Sequence, residues 1–524
     1  MRTIETILSR YEKANARQRQ WESLLKEAYE LAMPERNTFD KKTEGQDESE
    51  GLYDSTAMIS ANSFVSTMLR LLFPPDTPFA KLAIGPLVPE EDKTELQELL
   101  DKVNDIHYNA VKASNFYVEI VPFLYDLFAG TACMLVQQGD DFHPFNHRAI
   151  PMNQVAFEED ARGQVNAVYR LWKIKEDEIL QNWPKGTYKQ EGEKGACPQG
   201  VEVLETVYYD FEKKVWQYGV IAKAKKEYIY QDTMKYNPFN VSRWTNISGE
   251  INGRGPLLQA LPELRFLNRL KYFSSEGLPF RVFPLLTVTD DDALDPDKFV
   301  LEPGRLNKVE RNGGPNGPSV QALNYGGDVQ YEQYQVEEIR YNIKKLTLDE
   351  QMPAINGPTK TATEWAQRAQ EIRQDRTVAF AKIQQEVIRQ IFIKQMHILF
   401  EMGALPDDFY RRFKIEDINE FVLKMDIESP ISRQQKMEEA QQAFSIIQAM
   451  LATDPQATAT VFKMEEMFED LGLALGIRAK YVRNQAEREK LKQAQQAQLE
   501  QMQNQDAARE AQKEVLVNAA KQQQ

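Results

Sequence analysis

The spacing of apolar residues changes twice along this chain, and that change limits the folds it can adopt. Apolar residues recur at the helical period from Thr3 to about Ala32, through residues 54–73 and through residues 90–114. Between about Ile150 and Val241 they alternate with polar residues, as in β-strands. The helical period then returns after residue 255. The pattern predicts an α+β protein, mainly helical, with one β-rich section.

Helix-breaking and capping residues mark where the first helices begin and end. Pro34 ends the first helix, and either Asp54 or Ser55 caps the second. The most apolar window, residues 118–136, is interrupted by charged residues, Pro and Gly, so it predicts a buried helix followed by a strand, not a membrane span. No apolar stretch follows the basic N-terminus, so we expect no secretory signal.

Two amphipathic helices flank a segment rich in Pro, Gly, Asn and Asp. The first helix has an apolar stripe from Leu257 to Phe273, and Pro262 marks either its start or a kink. Residues 277–330 predict a small β-containing insertion. The second helix, from about Tyr331, continues until Pro353 stops it.

A flexible stretch then leads into the longest predicted helix. Thr361 and Glu364 form a capping box that opens it, and it runs from about Ala362 to Met402. A helix of that length would be ~60 Å long, and we interpret it as a strut. An apolar segment at 417–426 and two helices between 433 and 475 follow. Residues 483–524 are rich in Gln and Ala and predict a frayed helix or disorder.

Composition argues against several functions. The net charge of -15 disfavours nucleic-acid binding by bulk attraction, so any DNA contact must be local or weak. Cys133 and Cys197 are too few for a disulfide framework. The chain lacks the P-loop, nucleophile-elbow, H-E-x-x-H, C-x-x-C and G-x-G-x-x-G motifs. We therefore expect no enzymatic site and no cofactor.

Three clusters of polar residues are candidates for function. Asp140, Asp141, His143 and His147 could ligate a metal, but a loop of ordinary polar residues is the favoured interpretation because a Pro separates the histidines. The run that contains Asp290, Asp291 and Asp292 lacks the Gly and Glu of a calcium loop, which leaves a solvated turn or a docking surface.

The third cluster is basic. Arg340, Lys344 and Lys345 lie on neighbouring turns of the second amphipathic helix. They are either ordinary surface charges that balance Glu337 and Glu338, or, if copies form a ring, bands of positive charge in a channel wall. A few weak bands would centre DNA and still let it slide.

Several motifs resemble one family. RQRQWESLLKEAYELAMPERNTF and YDSTAMISANSFVSTMLRLLFPPDTPFAKL are similar to the N-terminal part of the head-to-tail connector, or portal, proteins of podovirus-type phages. DLFAGTACMLV, PFNVSRWTNISGEINGRGP and KTATEWAQRAQEIRQ follow in the family's order. Asn252 and Gly255 depart from the family, where an aromatic residue and a Ser are common, which questions the packing of that turn.

The resemblance implies a portal fold with wing, stem, clip and crown regions. Carried onto this chain, it gives these boundaries: 1–255 wing, 256–276 first stem helix, 277–330 clip, 331–350 second stem helix, 351–361 channel loop, 362–432 long wing helix and wing closure, 433–482 crown, and 483–524 a C-terminal helix, barrel or disordered tail. By the same match, Asn356, Lys360 and Thr361 lie nearest the DNA. The clip docking surface would contain Asp290, Asp291, Asp292, Phe299 and Arg305.

The resemblance also implies the assembly. It is a ring, usually of twelve subunits, at one capsid vertex of the virion, assembled in the host cytoplasm. Double-stranded DNA passes through it, and its partners are the terminase large subunit, a tail adaptor protein, the major capsid protein and scaffold or internal core proteins, with no membrane. Two alternatives remain: a coiled-coil scaffold without a channel, which the insertion at 277–330 fits poorly, and a metal enzyme that uses the histidine cluster.

Overall fold

A computed structural model describes residues 2–39, 45, 47–140, 142–188, 200–282, 286–288, 320–322, 329–349, 382–418 and 421–427, with isolated positions at 442, 445–446, 448, 472 and 494. Helices and sheets are both present, which confirms the α+β class. The chain divides into two compact units, one of residues 1–70 and 113–394 and one of residues 71–112 and 395–524. No helix in the described ranges is long and apolar enough to cross a membrane.

In chain order the helices are α1 (Ile4–Ala32), α2 (Thr56–Leu72), α3 (Glu90–Ala113), α4 (Phe116–Ala129), α5 (Ile179–Asn182), α6 (Pro256–Val282), α7 (Val329–Leu346), α8 (Arg389–Glu401) and α9 (Asp407–Arg412). The strands are β1 (Ala80–Ile84), β2 (Thr131–Gln138), β3 (Phe145–Ile150), β4 (Val155–Glu159), β5 (Val165–Ile174), β6 (Val201–Asp210), β7 (Val215–Ala222), β8 (Glu227–Met234), β9 (Phe239–Arg243), β10 (Leu286–Val288), β11 (Val320–Ala322) and β12 (Leu423–Ile427).

The N-terminal predictions are confirmed. The side chain of Thr3 caps α1. Ser55 precedes the first residue of α2, and the side chain of Asp54 satisfies that end of the helix, because its Oδ1 accepts a hydrogen bond from the Thr56 amide at 2.9 Å. The apolar window of residues 118–136 forms α4 and β2, with Gly130 between them at a φ of 150°. Only glycine adopts that backbone conformation readily.

Two antiparallel sheets form the β-rich section of the first unit. One has the strand order β3-β2-β9, and the other has the order β4-β5-β6-β7-β8. The alternation of residues 150–241 reflects this second sheet, because one of its faces packs on the core that contains Val207, Tyr218 and Val220. Its other face packs under α1, where Ile7 and Tyr11 meet Tyr169.

The turn that departs from the family pattern is tightly packed. Asn252 is buried, and its Nδ2 donates a hydrogen bond to Gln18 Oε1 at 2.8 Å. A Cβ atom added at Gly255 would lie 2.2 Å from the carbonyl oxygen of Phe128, and one added at Gly130 would lie 2.2 Å from that of Gly253. Glycine is therefore required where the two backbones approach, and a Ser at position 255 would not fit here.

The helices on either side of the insertion form, but their limits differ from those predicted. α6 begins at Pro256, so Pro262 lies inside the helix and does not start it, and α6 continues to Val282 past the predicted limit at 276. Within the insertion, β10 pairs antiparallel with β11, which confirms its β content. α7 ends at Leu346, several residues before Pro353.

The early end of α7 has a local cause. The amide of Asp349 donates to the Lys344 carbonyl at 2.8 Å, and the amide of Leu348 donates to the Lys345 carbonyl at 3.3 Å. This is a Schellman motif, and it places Leu348 at a φ of 61°, where glycine is usual. Two polar residues directly after the helix, Thr347 and Asp349, are buried. The Oδ2 of Asp349 accepts a hydrogen bond from the Ser60 hydroxyl at 3.1 Å.

The long helix is described only in its second half, so its capping box and first turns lie outside the described residues. A π-helix at Gln384–Ile388 leads into α8. This segment provides hydrogen-bond partners for backbone groups on the outer edge of β9. Glu386 accepts a hydrogen bond from the Arg243 amide at 2.9 Å, and Lys394 donates one to the Phe239 carbonyl at 3.0 Å. Two charged side chains thus take the place of a neighbouring strand.

The second unit contains a strand pair that the sequence did not predict. β1 pairs antiparallel with β12, which accounts for the apolar segment near residue 420. The side chain of Asn104 on α3 donates to and accepts from the backbone of Leu82 on β1, at 3.0 and 2.8 Å. Apart from a few isolated positions, the predicted crown and the C-terminal tail lie outside the described residues.

Candidate functional site

Helices α6 and α7 pack together and carry the described candidates for channel residues. Each of the two helices has one stripe of buried apolar residues. On α6 the buried residues are Leu257, Leu261, Leu264 and Leu267, and on α7 they are Val336, Ile339 and Ile343. Because β10 follows α6, β11 precedes α7, and the two strands are antiparallel, the helices run in opposite directions.

Arg340 differs from the other basic candidates because a carboxylate engages it. Its Nη2 lies 2.6 Å from Asp54 Oδ2, and the Asp54 side chain is only 4% exposed. Burial acts to raise the pKa of Asp54, but hydrogen bonds from Thr56 and Arg340 outweigh burial and hold the pKa below its ordinary value. Arg340 therefore fastens α7 to the start of α2 rather than balancing Glu337 and Glu338.

Lys344 and Lys345 remain on the surface. Both side chains are exposed in the last turn of α7. Cations at this end of a helix are also stabilised by the helix dipole. The other three channel candidates, Asn356, Lys360 and Thr361, lie outside the described residues, as do all five clip residues, Asp290, Asp291, Asp292, Phe299 and Arg305.

The histidine cluster does not converge on a metal. His143 Nδ1 lies 3.0 Å from Asp140 Oδ1 on an exposed hairpin turn. His147, in contrast, is fully buried on β3 and packs against the rings of Phe116 and Phe145. Asp141 lies outside the described residues. Among the residues that are described, no group of three His, Cys, Asp or Glu side chains is placed to hold a metal ion.

Asp126 is a half-buried carboxyl group in the helical part of the first unit. The hydroxyl of Tyr29 on α1 donates to Asp126 Oδ1 on α4 at 2.6 Å. Burial raises the pKa of Asp126 to about 7, and the Tyr29 hydrogen bond and the charge of Arg36 keep it from rising further. Tyr29 and Asp126 thus join α1 to α4, which is a structural role.

Lys394 is a second buried ionisable group. Its Nζ donates to the Phe239 carbonyl and to Asn240 Oδ1 at 3.0 and 3.1 Å. Burial lowers the pKa of Lys394 to about 7. Buried lysines with a low pKa can be catalytic, but the amine of this one is engaged by backbone and amide oxygens that hold the start of α8 against β9.

A cavity of about 370 Å³ opens beside the C-terminal end of α1. Four of its lining residues are acidic: Glu30, Asp47, Glu48 and Glu50. Among the described residues that line it there is no His, Cys, Lys or Ser. The described lining therefore has several carboxylates but no hydroxyl, thiol, imidazole or amine beside them.

The exposed faces of α6 and α7 carry aromatic residues, and the prediction for one of them was wrong: Phe273 was expected on the apolar stripe of α6, but Phe273 is exposed. Phe266 and Phe273 on α6 are 51% and 61% exposed, and Tyr334 and Tyr341 on α7 are 66% and 59% exposed. Each pair is seven residues apart, which places both rings on one side of a helix. The seven-residue spacing of these aromatic residues is visible in the sequence. It could have identified a second apolar face on each helix, opposite the buried residues.

Comparison with known proteins relates the chain to a phage protein family and to a phage protein. A sequence family described as bacteriophage head to tail connecting protein matches residues 4–482. A protein of Bordetella phage BPP-1 named "probable portal protein" is 23% identical over 387 residues, which cover 70% of this chain and 69% of that protein.

Proposed function

Because the chain belongs to the family of bacteriophage head-to-tail connecting proteins, we propose that it is the subunit of a portal ring through which double-stranded DNA passes during packaging and ejection. The observation that carries this proposal is the family match from residue 4 to residue 482. The family is a structural one, and its role in joining head to tail places the protein in the virion. Twelve subunits at one capsid vertex are our proposal for the assembly.

The α6–α7 pair supports the assignment of a stem. Two antiparallel helices with a short β-pair at one end fit stem helices at 256–276 and 331–350 and a clip at 277–330. In this arrangement the end of α7 that bears Lys344 and Lys345 leads directly into the proposed channel loop at 351–361. The remaining regions are proposed as a wing at 1–255 and 362–432, a crown at 433–482 and a tail at 483–524.

The charge distribution fits a conduit. A chain with a net charge of -15 would repel DNA over most of its surface. Lys344 and Lys345, with Asn356, Lys360 and Thr361, would form weak rings of contact in the channel, which hold the duplex centred without binding it tightly. Arg340 would contribute less, because Asp54 already neutralises much of its charge.

Docking partners are assigned by region. We place the terminase large subunit and the tail adaptor in turn on the clip surface of Asp290, Asp291, Asp292, Phe299 and Arg305. The wing would contact the major capsid protein and the scaffold or internal core proteins during assembly in the host cytoplasm.

The ring itself is tested with purified full-length protein by mass photometry and end-on negative-stain images. Closed rings with a central hole are expected. A protein that stays monomeric at all concentrations, or forms particles without a hole, refutes the proposal.

The channel is tested with Lys344→Glu/Lys345→Glu and with Lys360→Glu. Both variants should form rings and package less DNA in a packaging assay, because rings of negative charge would repel the duplex. Lys213→Glu, an exposed substitution in the β6–β7 turn, is the control. If rings of both variants package DNA normally, Lys344, Lys345 and Lys360 do not contact DNA in the channel.

A further inference from the structure

The aromatic residues of α6 and of α7 each lie on the side of the helix opposite its buried residues. α7 packs along α6, and Tyr334 and Tyr341 lie on the side of α7 opposite its own buried residues. Phe266 and Phe273 likewise lie opposite the buried Leu stripe of α6. Exposed aromatic residues in such rows are uncommon on surfaces that stay in water, and they usually mark an interface.

The two faces also match in height along the helix pair. Asn268 on α6 binds the backbone amide of Tyr53 through its Oδ1 at 2.8 Å, and Arg340 on α7 binds the neighbouring Asp54. Asn268 and Arg340 are therefore at about the same level. Since the helices run in opposite directions with the same rise per residue, levels elsewhere follow by counting away from these two positions.

Counting in this way places three pairs of residues at about the same level. Phe266 is level with Tyr341, and Phe273 is level with Tyr334. Between the two aromatic levels, Arg269 is level with Glu338, and both of these side chains are exposed. Each face thus has an aromatic residue, a charged residue and a second aromatic residue, and the charges are opposite.

We propose that the α6 face of one subunit docks on the α7 face of the next copy of this chain, and that Arg269 pairs with Glu338 across the interface. The proposal rests on the proposed ring. Rotation about a ring axis moves a subunit sideways without moving it along the axis, so levels are preserved between neighbours. If the helices run nearly parallel to the ring axis, Phe266 of one subunit contacts Tyr341 of the next, and Phe273 contacts Tyr334. Arg269 and Glu338 then meet between these two aromatic contacts.

Charge reversal tests the pairing. Arg269→Glu and Glu338→Arg each place like charges together at every interface of the ring. Each is expected to raise the protein concentration needed for half-assembly about tenfold or more, and the double variant Arg269→Glu/Glu338→Arg is expected to restore it. Ring fractions are measured by mass photometry, and circular dichroism checks that the subunits are folded.

Two reversals of the same kind serve as controls. Lys213→Glu and Glu212→Lys change exposed charges in the β6–β7 turn and should assemble as the natural protein does. Single variants at 269 and 338 that assemble normally, or a double variant as defective as the singles, would overturn the pairing even though rings form. Absence of rings from the natural protein would instead overturn the proposed function.

A second measurement does not depend on weakening the ring. Phe273→Cys with Tyr334→Cys, made in a Cys197→Ser background, puts a thiol on each face at the same level, and the remaining natural cysteine, Cys133, is buried. A short bis-maleimide should give a ladder of covalent oligomers in assembled rings. The single cysteine variants should give no such ladder, and a double variant that stays monomeric under denaturing conditions would contradict the proposed contact.

Discussion

Replacing Asp126 with Asn should make the protein less sensitive to alkaline pH. The carboxyl group lies half-buried between α1 and α4, and desolvation by burial raises its pKa from 3.8 to about 7. In the unfolded chain the same group returns to its ordinary value. The folded state therefore holds a proton that the unfolded state has lost throughout the interval between these two values.

The sign and size of the effect follow from this difference. The stability linked to Asp126 is fully present below about pH 4 and is lost as the pH rises through about 7, where the folded protein must ionise a buried carboxyl. A pKa difference of roughly three between the folded and unfolded states corresponds to about 4 kcal/mol in all. Between pH 5 and pH 8 the loss in the natural protein should be about 3 kcal/mol.

The amide that Asp126→Asn introduces cannot ionise, and it keeps an oxygen that accepts the Tyr29 hydrogen bond. The free energy of unfolding is measured by urea denaturation at pH 5 and at pH 8, with the intrinsic fluorescence of the first unit as the signal. The advantage of Asp126→Asn over the natural protein should grow by about 3 kcal/mol between the two pH values.

Tyr29→Phe is the matched control. It removes the hydroxyl that donates to Asp126 at 2.6 Å and leaves the carboxyl group buried. Since that hydrogen bond lowers the carboxyl pKa, its loss should extend the sensitive range to higher pH. An Asp126→Asn advantage that is equal at pH 5 and pH 8 would refute the reasoning, because it would mean that the buried group does not titrate in this interval.

Three further predictions concern single positions. Burial lowers the pKa of His107 to about 4, so stability linked to it is present above about pH 6.5 and is lost as the pH falls toward 4; His107→Gln should reduce the fall in melting temperature over that range. Leu348→Gly should stabilise the protein by about 1 kcal/mol in thermal denaturation, because it relieves a residue held at a φ of 61°, and a lower melting temperature would contradict this. Gly130→Ala should cost several kcal/mol and reduce the yield of soluble protein, since its Cβ would lie 2.2 Å from a backbone oxygen; normal yield and stability would show that the backbones can separate.

Local features of the fold were predictable because they depend on neighbouring residues. The period of apolar side chains located α1, α2 and the β-rich section, and Pro and Gly located many of their ends. The apolar window at 118–136 yielded α4 and β2 because Gly130 separates a helical spacing from a continuous apolar run. The β content of the insertion was likewise visible from its turn formers.

Contacts between distant residues were not predictable in this way. β1 and β12 are each five residues long and lie far apart in the chain, so neither has a strong period of its own. Nothing near Arg340 in the sequence shows that Asp54 would engage it, nor that the chain would bury His147 and leave His143 exposed. For the candidate site, the sequence identified the basic candidate residues. Only the fold showed that Asp54 engages Arg340, whereas Lys344 and Lys345 are exposed.

The sequence by itself determined the α+β class, the family and the order of helix, insertion and helix, because these depend on local spacing and on motifs. The tertiary structure decided where α7 ends: Leu348 has an unfavourable φ there, and its two neighbours, Thr347 and Asp349, are buried. It also decided which faces of α6 and α7 are covered. Which apolar residues are buried depends on how the two helices pack in the fold. The exposed aromatic residues of α6 and α7 are the ones that we propose contact a neighbouring subunit.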